Sequence, residues 1–258
     1  RAEQDFRFSP FGFGPMTLTA IPGVRAISRF GALPEAELRV ADTAWQTSLR
    51  YSRRIPTYLD RYYAIPGFNT GNPGLAPESK WTSATEVRLD PFLRSGFSLS
   101  GEVFAEHHSQ AIVTAFRPED GLMTMINGGS AYVLGLRLGS RMEFARLLYF
   151  KPQLTVAHSR MLESGEAYPL LPAASGRGTV GIKWNGFDVW SALKAEGPSN
   201  PVNAGHSTFD CGGGYLSGHY QAGLVIENIF DRKYLIPAGG GQLLSYGRTL
   251  VVTASTGL

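Results

Sequence analysis

The sequence predicts an all-β protein, an antiparallel transmembrane β-barrel with about 12 strands in this chain. Three observations carry that reading. Apolar and polar residues alternate in run after run of about 9 to 11 residues, the length of a strand tilted across a bilayer. No helical periodicity of any length interrupts them. The runs are joined by turn signals, with one long stretch of Pro, Gly, Asn and Tyr between Arg54 and Lys80.

Composition agrees. The chain has 258 residues, only 17% of them charged, with 31 glycines and 12% aromatics. Mean hydropathy is −0.09, and no run approaches the ~18 apolar residues of a membrane helix. A barrel evades both tests, because only every second residue of its strands meets lipid. The net charge of +3 comes from scattered Lys and Arg, which argues against a nucleic-acid partner. Cys211 is the only cysteine, so no internal disulfide is expected. There is neither an initiating Met nor a signal peptide, and the expectation is a mature form or a fragment. Residues 1–258 are read as a single barrel domain.

In chain order, extended runs are expected at Met16 to Ile21 and Val24 to Phe30, with Pro22-Gly23 as a turn between them. Pro34 marks a further break before Glu35 to Val40. Trp45 to Arg53 places Thr47, Leu49 and Tyr51 opposite Gln46, Ser48 and Arg50. Trp81 to Leu89 and Ser95 to Ala105 continue the pattern, as does the run in which Tyr132, Leu134, Leu136 and Leu138 oppose Gly135 and Arg137. Ala145 to His158, Thr179 to Trp184, Phe187 to Lys194 and a glycine-diluted His206 to Tyr215 follow. Asn185-Gly186 between two of these is a strong hairpin signal. After Ala222 to Glu227 and a Gly-rich turn, Leu250, Val252 and Ala254 share an uncharged face of the final strand. Its free edge calls for closure onto an earlier strand.

Two segments resemble a known family. The C-terminal stretch Asn228-Ile-Phe230-Asp231-Arg-Lys-Tyr234, followed by Gly247-Arg248 and a last strand, is similar to the ending of TonB-dependent outer-membrane receptors. Earlier, Arg54-Ile-Pro56-Thr57 with Leu59, then Gly71-Asn72-Pro73-Gly-Leu75-Ala-Pro77-Glu78, resembles the R-x-P-[ST] and G-N-P-x-L-x-P-E segments of the same receptors. Glu86 fits a further acidic position. The family's usual aromatics at the C-terminus are Thr256 and Leu258 here, and Arg137 stands where an acidic residue is usual.

Chemistry of the enzymatic kind is not expected. No G-x-S-x-G turn frames a nucleophile, and Gly239-Gly240-Gly241 precedes a strand rather than a phosphate-binding helix. His107-His108 has only Glu102 and Glu106 nearby, and adjacent strand residues point to opposite faces. A catalytic site, a metal and a cofactor are therefore all expected to be absent. Arg50, Glu86, Arg88, Glu102, Arg137 and Lys183, with Asp188 and Lys194, oppose apolar faces and are candidates to line a wet lumen. Trp81, Tyr132, Trp184 and Phe187 fall near strand ends, where interfacial aromatic girdles belong.

The resemblance implies the bacterial outer membrane, with its lipid and lipopolysaccharide as surroundings, and uptake of a scarce small-molecule ligand such as an iron chelate or a cobalamin. Family barrels have 22 strands and an N-terminal plug, and no plug or TonB-contacting segment is read in these residues. The chain is then half of a receptor barrel, with a plug-bearing or other envelope subunit as partner. The alternative is a complete small barrel, acting as a passive pore or a structural subunit.

Overall fold

The computed structural model describes residues 4–8, 16–27, 30–89, 96–145, 147–168, 171–199, 205–218, 220–238, 241–245 and 247–256. The chain opens with β1 (Gln4–Phe8), β2 (Met16–Ile27), β3 (Gly31–Ala41) and β4 (Trp45–Arg54). A one-turn helix α1 (Tyr58–Tyr62), β5 (Asn69–Thr70), β6 (Glu78–Arg88) and β7 (Phe97–Ser109) follow. The hairpin of β8 (Ile112–Arg117) and β9 (Leu122–Asn127) leads to β10 (Ala131–Phe144), β11 (Leu148–Met161) and β12 (Ala174–Trp184). The remainder is β13 (Phe187–Glu196), β14 (His206–Ser217), β15 (Tyr220–Glu227), the small hairpin β16 (Leu235–Ala238) and β17 (Gly241–Leu244), and β18 (Thr249–Thr256).

Thirteen strands form one sheet in the order β1-β2-β3-β4-β6-β7-β10-β11-β12-β13-β14-β15-β18. Every pairing in it is antiparallel. Each strand therefore lies beside its predecessor apart from the excursions of β5, β8–β9 and β16–β17, which sit off the sheet. Among the described residues β1 pairs only with β2 and β18 only with β15, so the sheet is open. The expected closure of the last strand onto an earlier one is not formed, and neither is a complete small barrel.

The period-2 alternation read from the sequence separates two faces. On one, the cross-strand row Phe144, Leu148, Ile182, Val189, Gly213, Leu224, Val252 runs from β10 to β18. Its large side chains stand in the open, Val189 at 59% and Val252 at 70% exposure. On the other, Gln46, Glu86, Glu102 and Arg137 form a row through β4, β6, β7 and β10. Exposed leucines on one side and paired charges on the other invert a soluble sheet, whose apolar face is covered.

The two ends of the sheet also differ. Connections 42–44, 145–147 and 185–186 at one end are tight turns. At the other end, apart from the short 28–30 connection, lie 55–77, 110–130, 162–173, 197–205 and 228–248, all of them longer. Outer-membrane barrels have this asymmetry, with short periplasmic turns and long extracellular loops.

Three local expectations are corrected. Pro22 and Pro34 do not break strands: Pro22 pairs with Ala36, and Pro34 with Val24, inside continuous β2 and β3. Among the described residues both sit where their strand has a neighbour on one side only, since β1 as described reaches no further than Ala20 and β4 no further than Ala36. There the missing N–H costs no ladder bond. The 54–80 stretch is not structureless, for it holds α1 and β5. Thr57 and Asp60 cap α1 reciprocally, each side chain accepting the other's backbone N–H.

Candidate functional site at the long-loop rim

Both family-like segments fall at the long-loop end; the first pins its loop to the β8–β9 hairpin and the second to the large sheet. In the first, Leu75 is 2% exposed and packs with Ile112 of β8 and Met125 of β9. The Asn72 amide donates to Met125 O at 2.8 Å and its oxygen accepts Gly74 N–H. Asn127 returns the contact, accepting Ala76 N–H at 2.9 Å and donating to Ala76 O. At Gly71 an added Cβ would lie 2.7 Å from the Tyr62 Cα, so only glycine lets the loop pass the helix. Arg61, buried beside it, donates to Pro73 O and lies against the Phe30 and Tyr62 rings. Pro56 is buried, and Pro77 O accepts from Arg53.

Beneath this loop sits a network of ionisable groups. The Glu78 carboxylate, 2% exposed, meets His108 Nδ1 at 2.5 Å, accepts Ile112 N–H at 3.1 Å and pairs with Arg54 at 3.4 Å. Arg54 also reaches Asp60 at 3.3 Å. On its other side His108 Nε2 meets Glu106, which pairs with Lys80 at 3.1 Å. Tyr168 covers the His108 ring at a centroid distance of 4.9 Å. Burial, with the Glu78 carboxylate adding to it, pushes the Tyr168 phenol up to about 12. His107 and His108 do face opposite ways. Glu78, thirty residues upstream of His108, is the neighbour that sequence spacing does not reveal.

The second segment works the same way. Asn228 takes a positive φ of 51° and clamps residue 232 at both its N–H and its C=O. Its own N–H donates to Asp210 Oδ1 at 2.9 Å, while Asp210 pairs with Lys194 at 2.7 Å. Asp231 accepts Arg248 N–H at 2.7 Å, and an added Cβ at Gly247 (φ 76°) would strike Asp231 and Lys233. The Arg248 N–H, followed by Lys233, holds the Asp231 carboxyl below the usual carboxylate range. Tyr234 stacks on His206 at 3.7 Å, and Phe230 is exposed. Between these groups lies a polar cavity of about 260 Å³ whose lining includes Lys194, Glu196, His206, Asp210 and Glu227.

The candidate lumen residues share the charged face. Glu86 accepts from Gln46 at 2.8 Å and from Arg88 at 2.9 Å, and Arg137 bonds Glu102, its direct cross-strand partner. Lys183, opposite Asp188, lies 5.5 Å from the Tyr149 ring. Arg50 lies on the same face, paired in register with Glu37 and Thr82. Among the described residues no set of three His, Cys, Asp or Glu side chains is placed to hold a metal ion. What the rim holds together is a set of pinned loops, a charged face of the sheet and a polar cavity.

No protein-family model matches the chain, and no curated protein matches it. Solved structures do. The copper transporter OprC superposes at a TM-score of 0.62 with 14% identity, over 95% of this chain and 44% of that one. The thirteen-stranded sheet has the fold of part of a TonB-dependent receptor barrel. A ferric enterobactin receptor mutant from Pseudomonas aeruginosa matches at 0.57 with 16% identity, over 94% and 45%. The ferric yersiniabactin uptake receptor FyuA from Yersinia pestis matches at 0.54 with 15% identity, over 94% and 41%. The chain thus spans less than half the length of these proteins. They are a transporter and receptors, not enzymes.

Proposed function

We propose that this chain supplies part of the barrel wall of an outer-membrane receptor, and that the receptor takes up a scarce small ligand. The observation that carries the reading is the inverted sheet: exposed leucines and valines on one face, paired charges on the other, long pinned loops at one end. In a bilayer the first face meets lipid and the second lines the lumen, so Arg50, Glu86, Arg88, Glu102, Arg137 and Lys183 are lumen residues. The motif residues Arg54, Pro56, Gly71, Asn72, Pro73, Leu75, Pro77 and Glu78, with Asn228, Phe230, Asp231, Tyr234, Gly247 and Arg248, then serve to hold extracellular loops in place.

The free edges of β1 and β18 require partner strands, because unpaired backbone groups cost several kcal/mol each in hydrocarbon. A plug-bearing or barrel-completing polypeptide is the partner this reading calls for. The ligand class, a metal ion or an iron chelate, follows the copper transporter and the siderophore receptors that share the fold; a cobalamin is equally consistent with the loops.

The test is heat-modifiability combined with native mass, on protein extracted from outer membranes in mild detergent. A fast-migrating unboiled species, found in a complex with further barrel strands, is expected. A shift at the mass of one chain would favour a self-closed pore instead, and extraction without detergent would overturn the membrane reading.

A further inference from the structure

The apolar face is not uniformly apolar. Across the described side chains of β2–β4, β6, β7, β10–β15 and β18, that face carries no carboxylate at all. Its only titratable nitrogen groups are Arg53, His107, His158 and Arg160, and the register sets all four at the long-loop end. Three of them sit among aromatics in two adjacent rows. Tyr51, Trp81, His107, Tyr132 and Arg160 are successive cross-strand partners from β4 to β11. In the next row His158 lies opposite Leu134, with its ring 6.1 Å from that of Tyr132. The opposite rim of the same face has Trp184, Phe187, Tyr215 and Tyr220 and no basic side chain among the described residues.

Arg160 is held in place rather than neutralised. Its Nε donates to Gly165 O at 2.9 Å, which fixes the guanidinium against the 162–173 loop, and no carboxylate pairs with it among the described residues. The nearest acid of that loop, Glu163, is occupied by the Ser130 N–H at 2.9 and 3.0 Å. The cavity of about 510 Å³ beside Arg160 and His158 is lined from both faces, by Ala157 and Ser159 of the charged face as well as by these two, so a contact from outside rests on the outward side chains and not on that cavity. Basic donors above, an aromatic belt at the same level and aliphatic side chains below match the layers of a lipid leaflet: anionic headgroup, interface and acyl chains.

We propose that Arg160 and His158 bind the phosphate of a phosphorylated lipid in the outer leaflet, with Trp81 and Tyr132 at the level of its headgroup. This rests on the membrane reading of the sheet and adds to it a defined lipid contact. Guanidinium groups suit phosphate because two parallel N–H donors meet two oxygens, and the imidazole N–H adds a third donor.

The whole chain, purified in mild detergent, is mixed with micelles containing monophosphorylated lipid A, its dephosphorylated counterpart, or inorganic phosphate alone. Bound lipid is then counted by native mass spectrometry. The wild type is expected to retain the phosphorylated glycolipid. Arg160→Gln and His158→Gln should each weaken retention about tenfold, the loss of one charge-assisted or polar hydrogen bond at a partly desolvated site. Arg141→Gln, on the charged face, should leave it unchanged. Heat-modifiability of each variant verifies the fold, and if Arg160→Gln fails that check, His158→Gln decides. Equal retention by the variants and the wild type, or equal binding of the dephosphorylated lipid, would overturn the site. Displacement of the lipid by inorganic phosphate, which then binds by itself, would make it a free-anion site and overturn the lipid assignment. A chain that needs no detergent would refute the membrane reading first, a result that shows before any lipid is counted.

Discussion

The Asp231 carboxylate accepts the Arg248 backbone N–H at 2.7 Å, joining the two halves of the C-terminal segment across the loop that separates them. Asp231 sits at a φ of 52° and Gly247 at 76°, so both chain reversals are fixed where the carboxylate bridges them. The last strand, β18, begins at the next residue, and the bridge sets where its pairing with Glu227 starts.

This bridge has a pH signature. The Asp231 pKa is lowered in the folded state, so its contribution is fully present above the ordinary carboxylate range and is lost as pH falls through the lowered value. Amide hydrogen exchange at Arg248 should therefore accelerate, beyond the intrinsic pH trend, only as the pH falls below the ordinary Asp value of about 3.9. Asp231→Asn should show fast exchange already at neutral pH. An Arg248 amide indifferent to both would remove the bridge from the account.

Glu78 is the most consequential single residue of the first loop. Its truncation in Glu78→Ala leaves His108, Ile112 N–H and Arg54 without their shared acceptor in a buried site. Breaking a buried pair of this kind costs roughly 3 kcal/mol or more. Glu78→Gln keeps an acceptor for Ile112 and should cost less. Urea unfolding of the protein in detergent, followed through loss of the heat-modifiable form, gives both values; equal stability of the two variants would show that the network is not coupled to the fold.

Gly71→Ala tests the close approach directly. The new methyl would meet backbone of residues 61 and 62, which cannot swing away as a side chain end could. The expected result is release of the 55–77 loop from β8 and β9, read as new protease cleavage between Tyr58 and Asn69, while the strands stay protected. An unchanged digestion pattern would contradict the crossing of loop and helix.

Much of this was legible beforehand, and for a physical reason. Strand alternation is a local property, so the faces of Leu134, Arg137, Glu86 and Val252 followed from their neighbours alone. The two loop clamps coincide with the segments that resemble the receptor family, and at Asn228 and Gly247 the residue type suits the positive φ found there. What stayed hidden is non-local or context-bound. Glu78 and His108 are thirty residues apart and meet only because β6 pairs with β7 in a particular register. Pro22 and Pro34 read as breaks because a sequence does not say which strand ends lack a second neighbour. The five-residue α1 and the short hairpin β8–β9 are too brief to show a period, and the open edges of the sheet depend on which strands meet.

On the final strand, Val252 lies in the exposed apolar row with Leu224, whereas Val251 pairs with Val225 on the charged face. Val252→Arg should impair assembly, since Arg on the lipid face near the bilayer midplane costs roughly 2–4 kcal/mol. Val251→Arg should be tolerated. The ratio of folded to unfolded protein in outer-membrane fractions compares them, and equal yields would put the register of β18 in error.

The central claim is that one face of this sheet touches lipid and the other water, and β10 tests it most directly. Single cysteines from Leu134 to Gly139 on a Cys211→Ser background, spin-labelled in outer membranes, would be compared for collision with oxygen and with a water-soluble nickel chelate. Positions 134, 136 and 138 should favour oxygen, while 135, 137 and 139 favour nickel, in strict alternation. Uniform nickel access along the strand, or the opposite phase, would contradict the account.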